Sequence, residues 1–197
     1  MPYSTIALRP AVASREAGLV LFGIALLTVA AKVQVPFWPV PATMQTLALF
    51  AIGLLYRPAT ALGAVTVYLA AGFAGIPVFT GPLAGPGYFA GPTAGFLAGF
   101  VVLVLLVQLA RKAGFIRGFL SCFAVLVLAD AICFSLGFSW LAWGFVAPSG
   151  KTLGANAAFA AGVAPFVLSD LVKAALAAAA AAGFHWVKPG LFGGDGA

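Results

Sequence analysis

The chain has 197 residues, of which 63% are hydrophobic and only 7% charged, and its mean hydropathy is +1.14. Soluble domains carry roughly a quarter charged residues, so a water-soluble globule of this composition would aggregate; a cytosolic enzyme, a nucleic-acid-binding module and a disordered tail are excluded. What remains is an integral membrane protein, in which a net charge of +6 reads as loop lysines and arginines rather than as a nucleic-acid patch.

One membrane domain over residues 1–197 is expected: a cytoplasmic segment 1–16, an all-α bundle of six transmembrane helices over about 17–186, and a short cytoplasmic tail 187–197. No secretory signal peptide is expected, because no polar mature domain follows the first apolar stretch. The first predicted span covers 17–35, with Lys32 near its far end. The second, 43–56, is short against the roughly 20 residues a span needs. The third, 59–76, follows a break at Arg57-Pro58. A Gly/Pro-rich loop over 77–92 leads to the fourth, 93–110, which stops at Arg111-Lys112. The fifth starts near 118 and stays apolar to about 147, which predicts a bend near Gly137 or Gly144. A loop with Pro148, Gly150, Lys151 and Asn156 precedes the sixth span, 165–186.

Counting Lys and Arg sets the orientation. With the N-terminus inside, Arg9, Arg15, Arg57, Arg111, Lys112, Arg117 and Lys188 fall on the cytoplasmic side, and Lys32 and Lys151 outside. That bias predicts N-in, C-in. Trp38, Trp140 and Trp143 then fall at outer ends and Trp186 at an inner one, as interfacial anchors do. Cys122 and Cys133 are separated by eleven helical residues, about 16 Å, too far to bridge, and read as packing residues. Gly91, Gly95 and Gly99 recur every four residues and flatten one face of the fourth helix. Internal bundle packing is favoured for that face over docking of a partner, and the alanines over 174–182 carry the same ambiguity.

The informative residues are the polar ones inside apolar segments. Asp170 and Lys173 sit three apart in the sixth, on one side of a helix. Either charge alone costs roughly 2.5–3.5 kcal/mol at a helix centre, so both face the bundle interior and meet each other or a ligand. Thr43, Gln45 and Thr46 open the second helix at the same outer level; Thr80 and Tyr88 lie in the outer loop, and Thr93 opens the fourth helix. Together they predict an outward-facing pocket. Lys173 suits a carboxylate, Asp170 suits N–H donors such as those of a urea, Gln45 can do either, and Phe79, Tyr88 and Trp38 are candidates to cover an apolar chain or ring. Asp130, in the fifth span, is a second buried acid for which pocket and structural roles stand equal. His185 reads as an interfacial anchor. With one histidine, the sequence builds no HExxH or His-rich metal site; it has no GxSxG elbow and no P-loop lysine. No cofactor or catalytic residue is expected, and any ATPase must be on another chain.

Four stretches carry a family resemblance: VPFWPVPATMQTL from Val35, GIPVFTG from Gly75, GPTAGFLAGF from Gly91, and PFVLSDLVK from Pro165 to Lys173. They resemble, in order, the BioY family, the biotin-specific substrate-capture (S) components of energy-coupling-factor (ECF) transporters. The resemblance implies a six-helix S-component fold in the cell membrane of a prokaryote and a biotin site near the outer face. Lys173 is expected to meet the biotin carboxylate and Asp170 the ureido group, with Gln45, Thr43 and Tyr88 as further lining residues. The implied partners are a transmembrane coupling protein and two ATP-binding-cassette ATPases, and the implied mechanism is tilting of the loaded protein in the bilayer. Ala25, Ala30 and Ala31 depart from the four-residue small-residue spacing with which such proteins dock their coupling partner. The alternatives are an S component for another vitamin, or a stand-alone proton-coupled carrier of a small carboxylate using Asp130 and Asp170; a lipid-headgroup enzyme has least support.

Overall fold

The structure, a computed structural model, describes residues 10–187, with side chains over 14–183. Arg9, Lys188 and the side chains of His185 and Trp186 lie outside the described residues. Seven α-helices are found there: α1 Pro10–Lys32, α2 Gln45–Leu55, α3 Pro58–Phe73, α4 Ala94–Lys112, α5 Phe119–Ser139, α6 Gly154–Gly162 and α7 Val167–Val187. The termini follow local chemistry. Pro58 occupies the first turn of α3, where its missing N–H costs nothing, and Arg111 and Lys112 complement the carbonyl end of α4.

By length and composition, α1, α4 and α5 with its extension to Gly144 can each cross a membrane, and α6 with α7, bent by 45°, counts as a fourth. The apolar helices α2 and α3 have only 11 and 16 residues. At 1.5 Å per residue α2 reaches about 16 Å, half a hydrocarbon core. It starts at Gln45 rather than Thr43, and the chain before it forms a short antiparallel hairpin, β1 Gln34–Val35 against β2 Ala42–Thr43, within an otherwise all-helical fold. Pro36, Pro39 and Pro41 deny this stretch helical hydrogen bonds. The other departure is α6, which occupies part of the expected loop before the sixth span. Its Ala-rich run favours helix, and Gly154, at φ +74°, and Gly162 bound it. The fifth segment ends in one wide π turn, Trp140–Gly144; a methyl on Gly144 would come within 2.6 Å of the Trp140 ring.

Helices α2, α4, α5 and α7 pack in a closed ring, with α1 and α3 layered outside α2 and α4. The flat face of α4 is spent inside this ring. A methyl on Gly95 would lie 2.6 Å from the Leu136 carbonyl oxygen, and one on Gly99 would lie 3.0 Å from the Cys133 backbone, so α4 and α5 approach at backbone distance and the bundle-packing reading holds for these two glycines. Gly91 precedes the helix, and its carbonyl accepts the Trp140 indole N–H at 2.8 Å. Ala174, Ala177, Ala178 and Ala181 likewise turn inward, and both cysteines are free and buried. Leu21, Phe22, Leu105, Leu120, Leu128 and Leu168 are among the large apolar side chains left exposed on the outside, the form a lipid-facing surface takes.

One end of the bundle is clamped by polar contacts. Gln108 Nε2 donates to the carbonyls of Gly53 and Tyr56, both at 3.0 Å, and Arg111 donates to Tyr56 O at 2.7 Å. These cap the α2 carbonyls that its C-terminus would otherwise leave unpaired. Thr60, near the start of α3, bonds Glu16 on α1. Arg57 at the start of α3, Arg111 and Lys112 at the end of α4, and Arg117 just before α5 lie at this end of the bundle.

Candidate functional site

At the opposite end the ring of α2, α4, α5 and α7 encloses a cavity. Thr43, Gln45, Tyr88, Asp170 and Lys173, the five residues singled out from sequence, all line it, together with Thr46, Phe79, Thr80, Thr93 and Asp130. Residues separated by 130 positions meet here because β2 and the first turn of α2 lie against the first turns of α7. Trp38 does not join them; it is 73% exposed.

The ion pair is the centre of the site. Lys173 Nζ donates to Asp170 Oδ1, to the Thr43 carbonyl at 2.7 Å and to Thr46 Oγ1 at 3.4 Å. Asp170 also accepts from Thr46 Oγ1 at 3.3 Å and from Ser169 Oγ at 3.4 Å. Both charged residues are buried, at 5% and 7% exposure. A charge so placed persists only when paired and hydrogen-bonded, and every ammonium proton has an acceptor. The pair ties the first turn of α7 to β2 and to the start of α2.

Gln45 works as scaffold as well as lining. Its Nε2 donates to Tyr68 Oη at 2.9 Å, Tyr68 Oη donates to the Val78 carbonyl at 3.1 Å, and Thr43 Oγ1 donates back to Gln45 Oε1 at 3.1 Å. The relay links α2 through α3 to the loop over 77–93, which covers the cavity. Within that cover Phe79 stacks on Tyr88 with centroids 4.6 Å apart, and Thr80 and Tyr88 share a hydrogen bond of 2.7 Å. Lys32, at the end of α1, donates to the carbonyls of Phe79 and Gly81 at 2.6 and 2.9 Å. Sequence reading placed Lys32 outside as a topological charge; its bonding to the cover was not foreseen. The apolar walls, Phe96 and Phe100 of α4 with Phe134 and Phe166, were missed too. Their signal was the four-residue spacing of Phe96 and Phe100, on the same helix as the glycines that admit α5.

The cavity holds about 70 Å³ of free space, whereas small-molecule sites typically run to roughly 300–1,000 Å³. A ligand of vitamin size must therefore displace part of the aromatic cover. Chemically the site offers one cation, carboxylate acceptors, hydroxyls and an aromatic surface. Among the described residues no three His, Cys, Asp or Glu side chains gather as a metal site.

A helical membrane bundle that encloses a few placed polar groups beneath an aromatic cover is built to capture a small molecule. The model of the BioY family matches residues 5–189, and the chain belongs to that family. The probable biotin transporter BioY of Pyrococcus horikoshii is 33% identical over 164 residues, 83% of this chain and 92% of its own length. The biotin transporter BioY of Thermotoga maritima is 31% identical over 156 residues, 78% of this chain and 86% of its own. A crystal structure of the S-component for biotin from an ECF-type ABC transporter matches with a TM-score of 0.77, over 91% of this chain and 95% of that one, at 19% identity. That likeness gives the chain the S-component fold.

Proposed function

We propose that the chain is the biotin-capturing S component of a vitamin uptake transporter, and that Asp170, Lys173, Gln45, Thr43 and Tyr88 form its site. The observation that carries this reading is the enclosed Lys173–Asp170 pair, where a cation and an acceptor lie side by side in a mostly apolar cavity. Biotin's carboxylate and ureido group lie at opposite ends of the molecule, so a pair in direct contact meets one end of it: Asp170 accepts a ureido N–H and Lys173 turns to the ureido oxygen rather than to the carboxylate. Tyr88 and Phe79 close over the apolar ring.

In this reading the chain crosses a prokaryotic cell membrane six times, N-in and C-in, with α2 and α3 as short spans and α6–α7 as the sixth. Support comes from Arg57, Arg111, Lys112 and Arg117 at one end of the bundle and Lys32 at the other. Transport itself draws on a transmembrane coupling protein and two ATPases, since the chain carries no nucleotide-binding motif of its own. The test is biotin binding to the detergent-purified chain, beside Lys173→Ala and Asp170→Ala. Tight binding by the wild type, weakened at least tenfold in both variants, is expected. A folded wild type that ignores biotin refutes the ligand, and another vitamin bound in its place identifies an S component of different specificity. Tight binding untouched by either change makes the pair a structural bridge.

A further inference from the structure

Asp130 of α5 is 7% exposed, and its Oδ1 is buried with no hydrogen-bond partner among the described residues. An unsatisfied carboxylate oxygen inside a membrane bundle is expensive and calls for an explanation. Asp130, Phe134 and Asp170 form the partition between the site cavity and a second cavity of about 300 Å³ among α5, α6 and α7. That second cavity brings Asp130 no donor: its only hydroxyl, on Ser135, already donates to the Ala131 carbonyl at 2.7 Å. On the site side the donors that meet Asp170 are also spent. Lys173 gives its three protons to Asp170, Thr43 and Thr46, and Thr46 gives its own to Asp170.

The molecule thus places two acids from different helices, Asp130 on α5 and Asp170 on α7, on one cavity, and leaves the first without a donor. We infer that Asp130 is a second ligand-binding acid, which accepts one N–H of a ligand whose other N–H goes to Asp170. This rests on the biotin reading above and deepens it: a cyclic urea carries one N–H on each side of its carbonyl and matches two acceptors presented by neighbouring helices to one cavity. Asp130 then selects for the intact urea and discriminates against ligands with a single N–H.

The test measures binding of biotin and of two analogues, each methylated on one ureido nitrogen, to the wild-type chain, Asp130→Asn and Asp130→Leu. A hydrogen bond to a charged acceptor corresponds to about tenfold to a hundredfold in affinity. The wild type is expected to lose at least that for both analogues. In Asp130→Leu biotin weakens by a similar factor, and the penalty disappears for one methylated analogue while persisting for the other. Asp130→Asn, isosteric and retaining one acceptor oxygen, falls between and carries the test if the leucine variant does not fold. Biotin binding unchanged in both variants overturns the inference, and so does a loss equal for all three ligands, which marks a structural acid. Failure of the wild type to bind biotin is seen before any variant is made, and refutes the parent reading instead.

Discussion

Removing one member of the Lys173–Asp170 pair should cost far more than removing both. In Lys173→Met, Asp170 stays buried with only the hydroxyls of Thr46 and Ser169 as partners. In Asp170→Leu, Lys173 keeps the Thr43 carbonyl and Thr46 Oγ1. An uncompensated buried charge destabilises by about 3–5 kcal/mol, whereas replacing a whole buried pair by apolar side chains is often neutral. For a domain of 150–250 residues each kcal/mol moves Tm by about 2–4 °C, so each single variant should melt about 6–20 °C below the wild type. The double variant should lie within a few degrees of it. The assay is thermal unfolding in detergent without biotin, at one scan rate for all four proteins. A double variant that loses the sum of the two singles refutes the reasoning, because the charges would then be independent of each other. Singles that melt with the wild type refute the premise that the pair is desolvated.

Two further perturbations probe the elements that build the site. Gly99→Leu drives a side chain into the Cys133 backbone and should lower stability by about 1–3 kcal/mol or more; Gly18→Leu, on a glycine with nothing within 4 Å, is the control, and equal melting of the two contradicts backbone-distance packing of α4 on α5. Lys32→Met removes both side-chain bonds to the cover and should speed hydrogen exchange over residues 79–81 and the release of bound biotin; unchanged exchange there shows that the aromatic packing alone holds the loop.

The sequence exposed most clearly what a bilayer forbids. Ionisable residues in apolar segments are costly, so Asp170, Lys173 and Asp130 stood out, and the structure brings all three to one cavity. Apolar runs and basic breaks located α4 within two residues at each end and α5 with its π extension within three, while α1 begins seven residues before its expected start. The hairpin and α6 were not legible for a shared reason: each is too short to register as a span, and each is shaped by neighbours rather than by periodicity. β1 and β2 pair over two residues each, and α6 owes its place to packing on the π turn. The aromatic walls escaped because phenylalanine is unremarkable in a membrane segment, where lipid and interior both accept it. Beyond the four-residue spacing of Phe96 and Phe100, helix–helix geometry distinguishes buried Phe96 from exposed Phe22.

The two ends of the bundle are held by different kinds of interaction, and the difference decides which end yields. At the clamped end Gln108 and Arg111 cap helical carbonyls on α2, and Thr60 bonds Glu16 across α1 and α3. Breaking them strands buried backbone acceptors, which costs the full desolvation of each group. At the site end the cover is held by Lys32, by the Tyr68 hydroxyl and by the stacking of Phe79 on Tyr88. An exchange of partners serves there, because a ligand offers an aromatic ring a new apolar face and polar loop groups lie close to water. Room for a ligand therefore comes from the loop over 77–93, while the ring of α2, α4, α5 and α7 keeps its packing. The glycines of α4 that fix this ring at backbone distance leave it little freedom to expand.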